Sequence, residues 1–369
     1  MTLALPSLPT PDDVAQAAAN AFDIVFRGGV GELRRTPASI IDEGPQRKVF
    51  RYLPTARRRS RGVPVLLVPP LAAPATCFDL RPGVSVAEHL LARGHDTYLV
   101  DYGDIGFSDR DLGLEHWVDE VIPRALRAAA QDAGAPVVPV GWCLGGIMSL
   151  LAVAADEELP VAGVAMIASP FDFRRVRMVA PLRPVAGLTR GQLVTTLYRL
   201  LGGAPAPLVR TGYRLAAIDK QVLKPYTVLT HLHDRDFLAQ IEAVDDFMGK
   251  MHAYPGRTFG QLYHRFFRVN ELAGGRLRMT GGTVDLADVR VPVLSVAGKS
   301  DSIAPRGAVH AVADLLPNAP EIRLRVAPGG HLGVLTGRAA VRTTWCELDV
   351  FLDDVALEEL AEEIIGEAA

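Results

Sequence analysis

Residues 137–146 read Val137-Val138-Pro139-Val140-Gly141-Trp142-Cys143-Leu144-Gly145-Gly146. The apolar run ending at Val140 has the character of a strand buried on both faces. Leu144 to Ala155 reads as a helix. Between them stands the pattern Gly-x-Cys-x-Gly, a strand-to-helix turn that presents a nucleophile, with cysteine where serine is usual. A side chain at Gly141 or Gly145 would collide with neighbouring backbone, which explains glycine at both. The turn also sets the sulfur at a helix N-terminus, where the dipole favours the thiolate.

Outward from this turn, strand and helix signals alternate. Val63–Val68, Thr97–Val100 and Val161–Ala168 read as strands. Ser85-Val86-Ala87-Glu88 is a capping box opening a helix that ends near Gly94, and 115–133 is a helix interrupted by Pro123. Residues 11–28 form a further helix, and the basic run Arg57, Arg58, Arg59 and Arg61 is a solvated loop. From about Asp172 to Asp288 the alternation is lost and helical patterns dominate. Val291–Val296 and Ile322–Val326 restore the strand signal, and a helix over 338–352 precedes an acidic tail. The expected fold is α/β: a mostly parallel sheet with helices on both faces and an inserted, largely helical cap. The divisions are an N-terminal extension over 1–60, a core over 61–172 and 290–369, and a cap or lid over 173–289.

Composition narrows the function. The 369 residues are 49% hydrophobic and 22% charged, with a formal net charge of −3. That balance argues against nucleic acid as a partner. No apolar run reaches the ~18 residues of a membrane span, and no signal sequence is visible at Met1–Thr10. Three cysteines, Cys77, Cys143 and Cys346, suggest no disulfide framework and a reducing, cytoplasmic compartment. Cys77 and Cys346 lack the setting of Cys143 and read as small hydrophobes. Nucleotide-binding glycine motifs are absent, so no cofactor is expected. His231, His233, Asp234 and Asp236 have some metal-site character but read as helix or loop surface, and no metal is expected.

A nucleophile elbow calls for an acid and then a histidine, each on a loop after a later strand. Asp301, in Gly298-Lys299-Ser300-Asp301, and His331, in Gly329-Gly330-His331, stand in that order. His331 would take the thiol proton, and Asp301 would fix its tautomer, help activate an incoming hydroxyl, or both. The oxyanion donors would be the backbone N–H of Leu144 and one from Leu71 or Ala72, because Pro69 and Pro70 have none. Trp142 and Phe78 are candidates for lining an acyl pocket.

Taken together, these motifs resemble the polyhydroxyalkanoate synthase family, in particular its class III catalytic subunits, within the α/β-hydrolase superfamily. The Gly141–Gly146 box corresponds to the family's G-x-C-x-G-G. Val65–Pro70 with Asp79-Leu80-Arg81-Pro82, Gly94-His95 through Asp101-Tyr102-Gly103, and Asn270–Leu277 with Val284-Asp285-Leu286 match further segments. Asp301-Ser302-Ile303-Ala304-Pro305 and Gly329–Gly333 complete the set, and the likeness covers roughly 45–352. It implies an acyltransferase in which Cys143 takes the acyl group of an (R)-3-hydroxyacyl-CoA as a thioester and passes it to a hydroxyl, extending a polyester. It also implies a partner subunit or a homodimer, and a granule surface as a place of work.

Three positions depart from the family. Ser302 stands where a histidine follows the acid, Thr76-Cys77-Phe78 replaces a tyrosine-containing segment, and the cap's W-x-x-D is not evident around Phe247–Lys250. These leave room for a hydrolase, such as an esterase, lipase or thioesterase, using the same three residues with water as acceptor. A non-catalytic scaffold would have no need of all three.

Overall fold

The computed structural model describes residues 10–54, 62–176, 192–216 and 218–368. The basic run at Arg57–Arg61 lies outside the described residues. Strands β1 (Ala38–Gly44), β2 (Arg47–Tyr52), β3 (Val65–Val68), β4 (Thr97–Asp101), β5 (Val138–Trp142) and β6 (Val164–Ile167) come first in the chain. Helices α1 (Pro11–Phe26), α2 (Val86–Arg93), α3 (Ile122–Ala133) and α4 (Leu144–Ala155) accompany them.

The cap region holds α5 (Gln192–Leu201), α6 (Ala206–Ala216), α7 (Ile218–Thr230), α8 (Arg235–Gly249) and α9 (Gly256–Gln261). It also holds two short antiparallel pairs, β7 (Gly203–Ala204) with β8 (Tyr254–Pro255) and β9 (Arg276–Met279) with β10 (Gly282–Asp285). The chain then returns through β11 (Val293–Gly298) and β12 (Ile322–Ala327) to a closing helix, α10 (Thr344–Ala368).

Among the described residues the main sheet has eight strands in the order β1-β2-β4-β3-β5-β6-β11-β12. From β4 to β12 the pairing is parallel, whereas β1 and β2 are antiparallel additions at one edge. Parallel strands need crossovers, and the helices supplying them cover both faces. Hence β3 (Val-Leu-Leu-Val) and β5 are buried at every position.

Several details differ from the sequence reading. The 1–60 segment contributes β1 and β2 to the sheet. The ribbon β9–β10, inside the span read as cap, packs Leu277, Met279 and Val284 into the same core cluster as Ile147 and Met148 of α4. The capping box at Ser85 is half formed. The Ser85 hydroxyl accepts from the Glu88 amide at 3.0 Å, but the Glu88 carboxylate accepts from Gly83 N at 2.9 Å. The helix read over 115–133 is two pieces: a π-helical turn over His116–Val121, then α3 with Pro123 in its first turn, where proline is tolerated. The closing helix begins at Thr344 and takes in the acidic tail through Ala368.

Both sheet edges carry charge. In β1 the register shifts between Ile40 and Asp42. On β12, Arg323 pairs with Glu321 and Asp354, and Arg325 with Glu347.

The packing of α4 onto the sheet sets a glycine requirement that can be measured. A Cβ on Gly145 would press on the Val68 carbonyl oxygen and lie 2.8 Å from Pro69 O, whereas one on Gly212 in α6 would meet nothing within 4 Å. Gly145→Ala is expected to lower unfolding free energy by roughly 2–4 kcal/mol. Gly212→Ala should raise it by about 0.5–1 kcal/mol. Urea unfolding of both variants checks the pair.

Candidate active site

The cysteine sits where the sequence puts it, between the end of β5 and the start of α4. Its backbone is at φ 53°, ψ −120°, a region that costs a non-glycine residue roughly 1–3 kcal/mol. Surrounding contacts hold it there. The Cys143 amide donates to Ile167 O of β6 at 2.9 Å. Close approach of Gly141 and Gly145 to the backbone around them leaves the turn no room to relax.

Asp301 and His331 are brought together from the loops after β11 and β12. His331 Nδ1 lies 2.8 Å from Asp301 Oδ2. The other carboxylate oxygen, Oδ1, accepts from the amides of Ile303 and Ala304, each at 2.8 Å. The Asp301 side chain is fully buried and that of His331 is 9% exposed. With both oxygens engaged, the carboxylate is fixed in place and aimed at the imidazole.

His331 also interacts with the charge of Cys143. Burial alone would push the imidazole's pKa down. The negative charge of a Cys143 thiolate and the bond from Asp301 overcome it and raise the pKa to about 10. The three groups are therefore coupled, sulfur to imidazole by charge and imidazole to carboxylate by a hydrogen bond.

Trp142 backs this chain. Its indole N–H donates to His331 O at 3.1 Å, and its ring stands 5.2 Å from the imidazole and 6.2 Å from Phe247. Phe247, where the family's W-x-x-D is not evident, is thus a packing partner of the elbow. Phe78 is completely buried in the core cluster that also contains Trp142.

Of the oxyanion candidates, Leu144 opens α4, so its amide has no intrahelical acceptor. Ala72 adopts φ 64°. Its loop is pinned from two sides: Ala72 O accepts from His252 N at 2.8 Å, and Pro69 O accepts from the Tyr102 hydroxyl at 2.9 Å. Leu71 and Ala72 also line a cavity of about 10 Å³ with Tyr102 and His252, room for roughly one water.

Two residues that the sequence reading missed come from the cap. Tyr213 (α6) and Tyr254 (β8) influence each other's ionisation, and both interact with the charge of Cys143. Burial, aided by that charge, pushes Tyr213 up to about 12 and Tyr254 well above its ordinary value. A lone tyrosine in a helical stretch carries no sequence signal for this; only the folding of the cap over the elbow creates it.

The histidine–aspartate group in the cap is engaged elsewhere. His231 Nδ1 bonds to Thr227 O and its ring stacks on Phe237 at 4.3 Å. Asp234 caps α8 and pairs with Arg338, and Asp236 bridges Arg81 and Arg338. Among the described residues no helix is long and apolar enough to cross a membrane.

Comparison with known proteins bears on the family and the fold. The chain is 24% identical over 335 residues to the poly(3-hydroxyalkanoate) polymerase subunit PhaC of Haloferax mediterranei, covering 90% of this chain and 66% of that one. It is 26% identical to PhaC of Allochromatium vinosum, covering 80% and 82%, and 24% identical to PhaC of Thiocystis violacea, covering 90% and 95%. In fold it is similar to the mouse alpha/beta hydrolase domain-containing protein 10, with TM-score 0.50 and 17% identity over 86% of this chain and 99% of that chain. A carboxylesterase from Nitrososphaera gargenis gives TM-score 0.50 and 16% identity over 87% and 100%. Residues 65–343 match the alpha/beta hydrolase family. The chain belongs to the alpha/beta hydrolase family, with poly(3-hydroxyalkanoate) polymerase subunits as its relatives in sequence.

Proposed function

We propose that this protein is a polyhydroxyalkanoate synthase-like acyltransferase that loads Cys143 with a hydroxyacyl group from (R)-3-hydroxyacyl-CoA and passes it to a hydroxyl. The observation that carries the reading is a cysteine at a strained elbow whose charge acts on His331, which is hydrogen-bonded to a buried Asp301. The PhaC relatives supply the substrate class.

The Cys143 thiolate attacks the thioester carbonyl, forming a C–S bond. The negative charge moves to the carbonyl oxygen, which the amides of Leu144 and of Leu71 or Ala72 stabilise. Collapse breaks the bond to the CoA sulfur, which leaves with the proton from His331. In the second half a hydroxyl gives its proton to His331 and attacks the acyl-cysteine, forming an ester and returning the thiolate.

Cysteine suits this sequence. Exchange of one thioester for another is nearly isoenergetic, whereas transfer to an alcohol runs downhill. With both oxygens committed, Asp301 acts by orienting His331, and direct activation of the incoming hydroxyl by Asp301 is the weaker role. Cap residues Tyr213 and Tyr254, which interact with the charge of Cys143, favour a shielded acyl-enzyme over one open to water.

Two outcomes are expected. Incubation with 3-hydroxybutyryl-CoA should release CoA and yield ester-linked oligomers by mass spectrometry, and Cys143→Ala should abolish both. Free 3-hydroxybutyrate as the sole product would identify a hydrolase instead. For the second outcome, His331 should stay protonated through neutral pH and lose its proton near pH 10 in an NMR titration. Cys143→Ala removes the principal charge holding the proton on, so burial prevails and the midpoint should move down. An unmoved midpoint would mean that the sulfur and imidazole do not interact.

A further inference from the structure

A second cavity, of about 470 Å³, opens beside the cap strands and contains neither Cys143 nor His331. That volume falls within the range of small-molecule sites. Arginine dominates its lining: Arg110, Arg199, Arg257 and Arg265, with Tyr198 and His264. The four cations are not equally satisfied. Arg265 makes a two-pronged pair with Glu271 at 2.7 and 2.8 Å, and Arg257 reaches Glu115 at 3.2 Å. Arg110 donates to Phe107 O at 3.3 Å and lies 4.9 Å over the Phe107 ring, but its one ion pair is with Asp111, also in the lining, at 3.6 Å, a carboxylate 85% exposed to water, so that pairing is weak. Arg199 makes no ion pair among the described residues.

The histidine in the wall reports the same surplus. His264 Nδ1 accepts from the Arg268 guanidinium at 3.2 Å, and Nε2 stands 2.9 Å from the Thr195 hydroxyl. Burial first, then the charges of Arg268 and Arg199, lower its pKa. A neutral histidine held between arginines marks a place where an added anion would be welcome. Tyr198 and the guanidinium planes also offer faces for an aromatic base.

A cap ribbon links this cavity with Cys143. Gly202 and Gly256 line it, and they adjoin Gly203 of β7 and Pro255 of β8, which pair with each other. Tyr254, also on β8, interacts with the charge of Cys143. One two-stranded ribbon thus connects the basic cavity with the thiol.

We propose that the cavity takes the phosphate-bearing adenosine end of the acyl-CoA donor, with Arg199 and Arg110 as its anion ligands. The assignment rests on the acyltransferase reading above. It puts the diphosphate and 3′-phosphate among cations with unfilled donors and lets the flexible arm of CoA pass the β7–β8 ribbon toward Cys143. Charge-assisted bonds to phosphate are the strong ones, and arginine's planar fork fits them.

Calorimetry with adenosine 3′,5′-bisphosphate, on the full chain, is the test. Arg199→Gln and Arg110→Gln should each weaken binding by about tenfold or more. Both side chains are exposed, and the contacts of Arg110 with Phe107 and Asp111 lie at the surface, so folding should be preserved, as circular dichroism would verify. In acylation assays both variants should raise KM for 3-hydroxybutyryl-CoA with little change in kcat. They should leave the phosphate-free 3-hydroxybutyryl-N-acetylcysteamine thioester unaffected. Unchanged nucleotide affinity in both variants would overturn the assignment. So would inorganic phosphate binding as tightly as the bisphosphate, because the site would then be one for a free anion. Failure of both thioesters to label Cys143 would instead strike the acyltransferase reading, leaving the nucleotide affinities to decide the cavity separately.

Discussion

Everything at the candidate site depends on one backbone geometry, the positive φ of Cys143. A non-glycine residue stays in that conformation only where its surroundings leave no alternative. Here the surroundings are α4 pressed onto β3 and β5 through Gly141, Gly145 and Gly146, and the amide bond from Cys143 to Ile167. The turn lifts the sulfur clear of the sheet, so that residues arriving from β11 and β12 can reach it. The sheet order then does the rest. β5, β6, β11 and β12 are consecutive neighbours and parallel, so the loops at their C-terminal ends share one rim, where open α/β sheets bind ligands.

Around that rim the polar groups are engaged in series. Asp301 is held by two amides and holds His331, whose charge acts on the sulfur. Each link restricts the next, which leaves the imidazole with one tautomer and one direction. The cap adds a second constraint from above. His252 fixes the loop bearing Leu71 and Ala72, while Tyr213 and Tyr254 interact with the charge of Cys143.

Much of this was legible in the sequence because the elbow, the acid and the histidine are local patterns with fixed order. Cys143, Asp301 and His331 could each be found from the few residues around them, and the boundaries of α4 followed from its apolar run. The parts that could not be read are those made by long-range contact. β2 joins the sheet by pairing with β4, and β1 by pairing with β2, which no local signal in 38–52 announces. Tyr213 and Tyr254 meet only because α6 and β8 fold together. Glu88 left its expected partner for Gly83 because the preceding turn brought that amide nearer. Phe78, read as a pocket residue, is entirely within the core, a distinction that sequence position near β3 cannot make.

The two edges of the sheet carry a further consequence. A strand edge with open amides and carbonyls is a template on which another chain can grow. At one end β1 is broken by its register shift and followed by Asp42 and Glu43; at the other, β12 carries Arg323 and Arg325 tied to carboxylates. Edge-to-edge stacking of copies is thereby disfavoured at both ends. Crowding many molecules together, as on a shared surface, would leave these sheets separate rather than fused into a common one.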